Sequence, residues 1–191
     1  MYKPLSKTLS KFLFISLLGL GVISTITGCE TNPVTGKQQL SLVSTSQEVS
    51  IGEQQYEPSQ QSQGGAYIID PSLNQYVNKI GQSLAQLSGQ PNLPYGFVVL
   101  NNDVPNAWAL PGGKIAINRG LLVLLEDEAQ LAAVLGHEVV HAAARHGASQ
   151  MSQGMLLQLG TQLVGQVSSN SAYSQIAGLG ASAVQARYGR S

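Results

Sequence analysis

His137, Glu138 and His141 stand at H-E-x-x-H spacing inside an apolar run, Ala129 to Ala144, that has no proline and a single glycine, Gly136. Length and composition both read as a helix. Residues four apart share a helix face, so His137 and His141 can each offer an imidazole nitrogen to one metal ion. Glu138 lies about 100° further round the axis. There it can reach a water beside the metal without ligating the metal. Leu131, Val134, Leu135, Val139 and Val140 make most of this helix apolar and favour its burial. Two histidines and a glutamate on adjoining faces of a buried helix are costly when unpartnered. A helix that merely carries two ordinary histidines is therefore the weaker reading.

Zinc suits the pair. It takes neutral imidazole readily, and a catalytic site needs only three protein ligands plus a water. One Zn2+ per chain is expected, with His137 and His141 as ligands and Glu138 as general base. A bound metal lowers the pKa of water towards neutrality, and the carboxylate can then take its proton. That is the chemistry of metal-assisted peptide hydrolysis.

The rest of the 191 residues organise around this run. Formal net charge is zero and 10% of residues are charged, so there is no basic footprint for nucleic acid. Lys3, Lys7 and Lys11 fall together at the start and lead into the apolar stretch Phe12 to Ile23. This has signal-peptide length and is short for a stable membrane span. Ile26-Thr27-Gly28-Cys29 follows and resembles the bacterial lipobox. Cys29 is the only cysteine, which excludes an intramolecular disulfide. The expected organisation is a lipoprotein signal peptide over 1–28, a lipidated tether over 29–45 and a metallopeptidase domain over 46–191. Lipid on Cys29 anchors such a chain to a membrane. Glu30, not Asp, follows the cysteine, which favours the outer membrane, facing the periplasm.

Ser46 to Tyr56 reads as a helix ended by Pro58, with Gln60 to Gly65 a polar loop. Asp70 and Pro71 open a second helix, whose stripe of Leu73, Tyr76, Val77, Ile80, Leu84 and Leu87 is core. Tyr95 to Leu100 has strand composition. Asn106 to Leu110, the turn Pro111-Gly112-Gly113 and Lys114 to Asn118 predict a hairpin just before the metal helix. Pro111 and its glycines mark a sheet edge. Asn106, Ala107, Trp108 and Ala109 are thus candidates to hold an extended peptide by added-strand pairing. Gly120 to Leu125 predicts a short helix, and Glu126-Asp127-Glu128 a capped, acidic helix start. Gly147 is the expected end of the metal helix. His146, about 140° round a continuous helix from His141, is expected to point off the ligand face. Helices are expected from Met155 to Val164 and from Ser171 to Ala186. The fold class is α+β: mostly helical, with a small sheet before the H-E-x-x-H helix.

The stretches Asn106 to Gly113, Gly120-Leu121-Leu122, and His137 to His141 followed by Arg145-His146-Gly147 together resemble the HtpX-like zinc metallopeptidases. Asn32-Pro33-Val34-Thr35-Gly36 is similar to their lipoprotein members. The resemblance implies a zincin-like domain, His137 and His141 on zinc, Glu138 as base, and a strand near Trp108 lining the substrate cleft. It implies protein substrates that are misfolded or misassembled in the bacterial envelope. It also implies a third ligand, a Glu on a later helix, whereas no Asp or Glu follows Glu138 here. The stretch Arg187-Tyr188-Gly189-Arg190-Ser191 looks like the sequence just before that helix, so the chain is expected to be C-terminally incomplete. The alternative is a catalytically inactive lipoprotein that binds envelope proteins. Oligomeric state is not legible.

Overall fold

The computed structural model describes residues 28–167, with residues 163–167 by backbone alone. The expected signal peptide up to Thr27 and the expected helix Ser171 to Ala186 lie outside the described residues. The described chain is α+β, with helices predominating.

A three-stranded sheet sits at the centre, in the order β3 (Gly96–Leu100), β5 (Lys114–Asn118), β4 (Ala107–Leu110). β3 and β5 run parallel, while β4 and β5 form the expected antiparallel hairpin. The register places Phe97, Val99, Ala107, Ala109, Ile115 and Ile117 on one face. That face packs with Val77 and Ala85 of α2 (Pro71–Gln86) and with Leu131, Leu135 and Val139 of α4 (Glu128–Ala143). Burying a Val, Leu or Ile side chain contributes roughly 1.5–3 kcal/mol, and Val77, Val99, Ile115, Ile117 and Leu135 are all completely buried. Gly81 lets α2 come close: a Cβ there would stand 2.5 Å from the Phe97 ring.

The helix starts follow their caps. Asp70 accepts from the Ser72 and Leu73 amides, with Pro71 at the first turn of α2. Asp127 accepts from Gln130 N at 2.8 Å and opens α4. The short helix after the sheet, α3, is Arg119–Leu122.

The opposite sheet face meets α1 (Thr45–Ser62), where Tyr56 stands edge-on to Trp108 and donates to Ile115 O at 3.0 Å. Ser44 opens α1 with a capping box to Gln47. Pro58 does not end this helix, as expected from the sequence, but sits inside it. A proline inside a helix loses one ladder bond and its ring crowds the carbonyl four residues back, a local cost of about 3 kcal/mol, but amides further on can resume the ladder. The polar loop is accordingly shorter than Gln60 to Gly65: it begins at the cap Gln63 and turns through Gly64 and Gly65, both at positive φ.

The stretch read as a tether forms an antiparallel hairpin, β1 (Cys29–Thr31) with β2 (Gln38–Leu40). Asn32 organises its turn. Its side-chain oxygen accepts from Val34 N and Thr35 N, each at 2.9 Å. Its amide nitrogen reaches 112 residues along the chain to Ala144 O at 3.0 Å. Gln39 Nε2 meets the same carbonyl at 3.3 Å, and Leu42 N donates to Ser152 Oγ at 2.8 Å. The hairpin is therefore docked where α4 meets α5 (His146–Val167). A helix leaves its last carbonyls unpaired, and Asn32 and Gln39 satisfy one of them. Among the described residues no helix is long and apolar enough to cross a membrane.

Candidate metal centre

The two histidines share one face of α4, as their spacing requires. His137 Nε2 and His141 Nε2 lie 2.9 Å apart, with ring planes at 81°. His137 is exposed, while Glu138 and His141 are half-buried. Burial pushes the Glu138 carboxyl above its ordinary range, and His141 and His137 oppose that shift. Two Nε2 atoms facing one point, with a carboxylate beside them, are a donor set that fits a borderline-soft divalent ion such as zinc. Among the described residues no His, Cys, Asp or Glu completes a set of three. Glu126 and Glu128 stand at the far end of α4, where Glu128 accepts from Tyr76 Oη at 2.8 Å.

α4 packs beneath β4, and a cavity of about 290 Å³ opens between them. Its walls include Ala107 to Pro111, Glu138, His141, His146 and Gln150. β4 is one of the sheet's two edge strands among the described residues. Asn118 N donates to Asn106 O at 2.9 Å, which makes 106 and 118 a hydrogen-bonded pair. Such pairs alternate along an antiparallel ladder. The N–H and C=O of Ala107 and Ala109 therefore point away from β5, to the open edge. Of the four residues expected to hold a peptide, Ala107 and Ala109 present backbone groups and Asn106 does not. Trp108 turns its ring to Tyr56, and its Nε1 is buried with no hydrogen-bond partner among the described residues.

The end of α4 departs from expectation. The helix stops at Ala143, Ala144 caps it, and Arg145 takes the left-handed conformation at φ 58°. Gly147 therefore does not end the metal helix but lies inside α5. A non-glycine residue at positive φ costs about 1–2 kcal/mol. Ion pairs offset that cost. Arg145, 2% exposed, pairs with the buried Glu48 of α1 at 2.6 Å and with Glu30 of β1, and its guanidinium donates to Val43 O at 2.7 Å. Burial pushes the Glu48 carboxyl up and the Arg145 guanidinium down, each shift reflecting the removal of a charge from water.

The break brings His146 to the back of the His141 ring by a route that a continuous helix excludes. Among the described residues His146 completes no set of three donors with His137 and His141. On a continuous helix it would point off the ligand face. Across the break it turns back, and its Nδ1 lies 2.6 Å from His141 Nδ1. Burial, with His141 and His137 adding to it, holds the His146 imidazole below its ordinary value. The sequence shows Arg145 and His146, but no periodicity predicts the break. Glu48 carries no motif that would link it to this site, and the stretch that begins at Asn32 resembles the lipoprotein members without indicating that Asn32 meets the end of α4.

Comparison with known proteins places the chain in its context. A sequence profile described as Peptidase family M48 matches residues 71–189. The beta-barrel assembly-enhancing protease of Escherichia coli (strain K12) is 32% identical over 153 residues, 79% of this chain and 31% of that protein. That of Yersinia pestis is 33% identical over 150 residues, 74% of this chain and 30% of that protein. A mitochondrial metalloendopeptidase of Schizosaccharomyces pombe is 29% identical over 145 residues, 74% of this chain and 42% of that protein. The chain thus spans less than half the length of these relatives. The matched region includes all of α2, the sheet, α4 and the His-Glu-His pattern, and on that match this chain belongs to peptidase family M48.

Proposed function

We propose that the chain carries the catalytic part of a zinc-dependent metalloendopeptidase of the bacterial envelope, acting on misfolded or misassembled proteins. The observation that carries this reading is the facing pair of His137 and His141 Nε2 atoms at 2.9 Å beside Glu138, at a cavity walled by a free sheet edge. His137 and His141 hold the zinc. When bound, the metal supplies a Lewis acid that polarises the scissile carbonyl and acidifies water. Glu138 takes the proton of the attacking water and returns one to the leaving amine. Its partly buried setting raises its affinity for that proton. Ala107 and Ala109 orient an extended substrate through their outward backbone groups, and Trp108 shapes the cavity wall. Cys29, exposed at the first residue of β1, bears the lipid that anchors the chain at the outer membrane, facing the periplasm.

A second reading has one observation in its favour: the donor set among the described residues stops at two imidazoles. It is a lipoprotein that binds envelope proteins without cutting them. Casein cleavage separates the two. Cleavage that stops on chelation and in Glu138→Gln supports the peptidase. Chelator-insensitive cleavage refutes it, and client binding without cleavage supports the alternative.

A further inference from the structure

We infer that His146 is a positioning residue for the metal centre: its Nδ1 accepts the Nδ1–H of His141 and so leaves His141 Nε2 free to bind metal. The inference rests on the proposed role of His137 and His141.

Three imidazoles form a chain, with 2.9 Å between the Nε2 atoms of His137 and His141 and 2.6 Å between the Nδ1 atoms of His141 and His146. Two proton arrangements satisfy those contacts. In one, protons point from His146 towards His137, and His141 Nε2 carries a hydrogen. That tautomer cannot ligate. In the other, His141 carries its proton on Nδ1 and donates it to His146, and its Nε2 lone pair accepts from His137 Nε2–H. A metal between the two Nε2 atoms would replace that contact, with the His137 proton moving to Nδ1. A neutral imidazole has one ring proton, so a ligating His141 requires the second arrangement. Metal-bound histidines generally donate their remaining ring N–H to a fixed acceptor, which sets tautomer and ring orientation.

His146 reaches this position only because of the break before it. Arg145 at φ 58° ends α4 and starts α5 in a new direction. Its buried pair with Glu48 and its bond to Val43 O tie the turn to α1 and to the segment before it. The acceptor is thus set by tertiary contacts on both sides of the break. The rings of His141 and His146 meet at 72° with centroids 4.7 Å apart, which leaves the His146 ring edge-on to its neighbour.

Two variants of the full chain test this. His146→Asn keeps an acceptor, Oδ1, at the position of Nδ1. His146→Leu keeps bulk and removes the acceptor. Zinc affinity is read by competition with a chromophoric chelator, and thermal midpoints confirm that each variant folds. His146→Leu is expected to weaken zinc binding about 10–100-fold, the loss typical of removing such a partner, with His146→Asn within about threefold of the parent on the same scale. Equal affinity in the parent and His146→Leu overturns the inference. If the parent itself binds no zinc, the metal reading fails, and nitrogen-15 NMR of the histidine rings in the metal-free protein decides this one. His141 protonated on Nδ1 in the parent, and not in His146→Leu, supports it. His141 protonated on Nε2 in the parent refutes it.

Discussion

Arg145→Met isolates the ion pair that holds the break after α4. Methionine has similar length and meets the same restriction at φ 58°, so backbone strain is common to both proteins. What is lost is the cation beside Glu48. That carboxyl is 1% exposed, and its charge would be left uncompensated. The penalty has a ceiling, because the carboxyl can take a proton instead. Its ordinary value is 4.5, so protonating it at pH 7 costs about 1.36 kcal/mol per unit, or about 3.4 kcal/mol. At pH 5 the same step costs about 0.7 kcal/mol. The stranded Val43 carbonyl adds about 1 kcal/mol at either pH. Because burial already raises the parent's carboxyl, these are upper limits: losses of up to about 4 kcal/mol at pH 7 and up to about 2 kcal/mol at pH 5, or up to roughly 8–16 °C and 4–8 °C in Tm for a domain this size. The direction follows from linkage. In the variant the folded-state carboxyl titrates above the unfolded one. The variant therefore takes up a proton on folding, and its stability falls as pH rises from 4.5 to 7. Burial raises the parent's carboxyl as well, to about 7, so the parent loses stability over the same range. The guanidinium beside Glu48 limits that rise, and the variant's fall with pH is the steeper. Circular dichroism melts of both proteins at the two pH values measure the difference. A loss that is the same at both, or a change under about 3 °C at pH 7, would refute the argument. Glu30→Gln serves as the control: Glu30 touches the same guanidinium but is 44% exposed, and exposed pairs contribute about 0–1 kcal/mol.

Glu138→Gln is expected to lower kcat about 10²–10⁴-fold while zinc stoichiometry stays at the parent's value; loss of the zinc along with the activity would make Glu138 a ligand instead of a base. His137→Ala is expected to abolish zinc retention and cleavage together, and cleavage surviving in that variant would move the chemistry elsewhere. Ala107→Pro removes one outward N–H at the first residue of an edge strand, where proline is tolerated. It should raise KM about 2–10-fold, the worth of one hydrogen bond, with kcat less changed; an unchanged KM argues against added-strand binding. Gly52→Ala would place a Cβ 2.0 Å from Pro111 O, so α1 must shift off the turn that follows β4. A loss of about 1–3 kcal/mol is expected in chemical denaturation, and a neutral result would mean that the helix yields without cost.

Local rules carried much of the architecture. Asp70-Pro71 and Asp127 start their helices because caps act through amides two or three residues away. The strands Ala107–Leu110 and Lys114–Asn118 pair because a short turn joins two strand-like runs. His137, Glu138 and His141 come together because helical periodicity alone puts them there. Pro58 misled because its effect on a helix depends on whether later amides find partners.

What the sequence determined by itself is everything whose cause lies within one turn of helix or one hairpin: the metal helix, the facing histidines, and the strand that flanks them. Tertiary structure alone decided the break at Arg145. A left-handed arginine is locally unfavourable and exists here because Glu48, 97 residues away, Glu30, 115 away, and Val43 O, 102 away, compensate it. That choice turned His146 back towards His141 and made a docked hairpin of a stretch whose composition reads as tether. Such contacts leave no periodic trace in sequence, because each depends on groups that only the folded chain brings within hydrogen-bond reach.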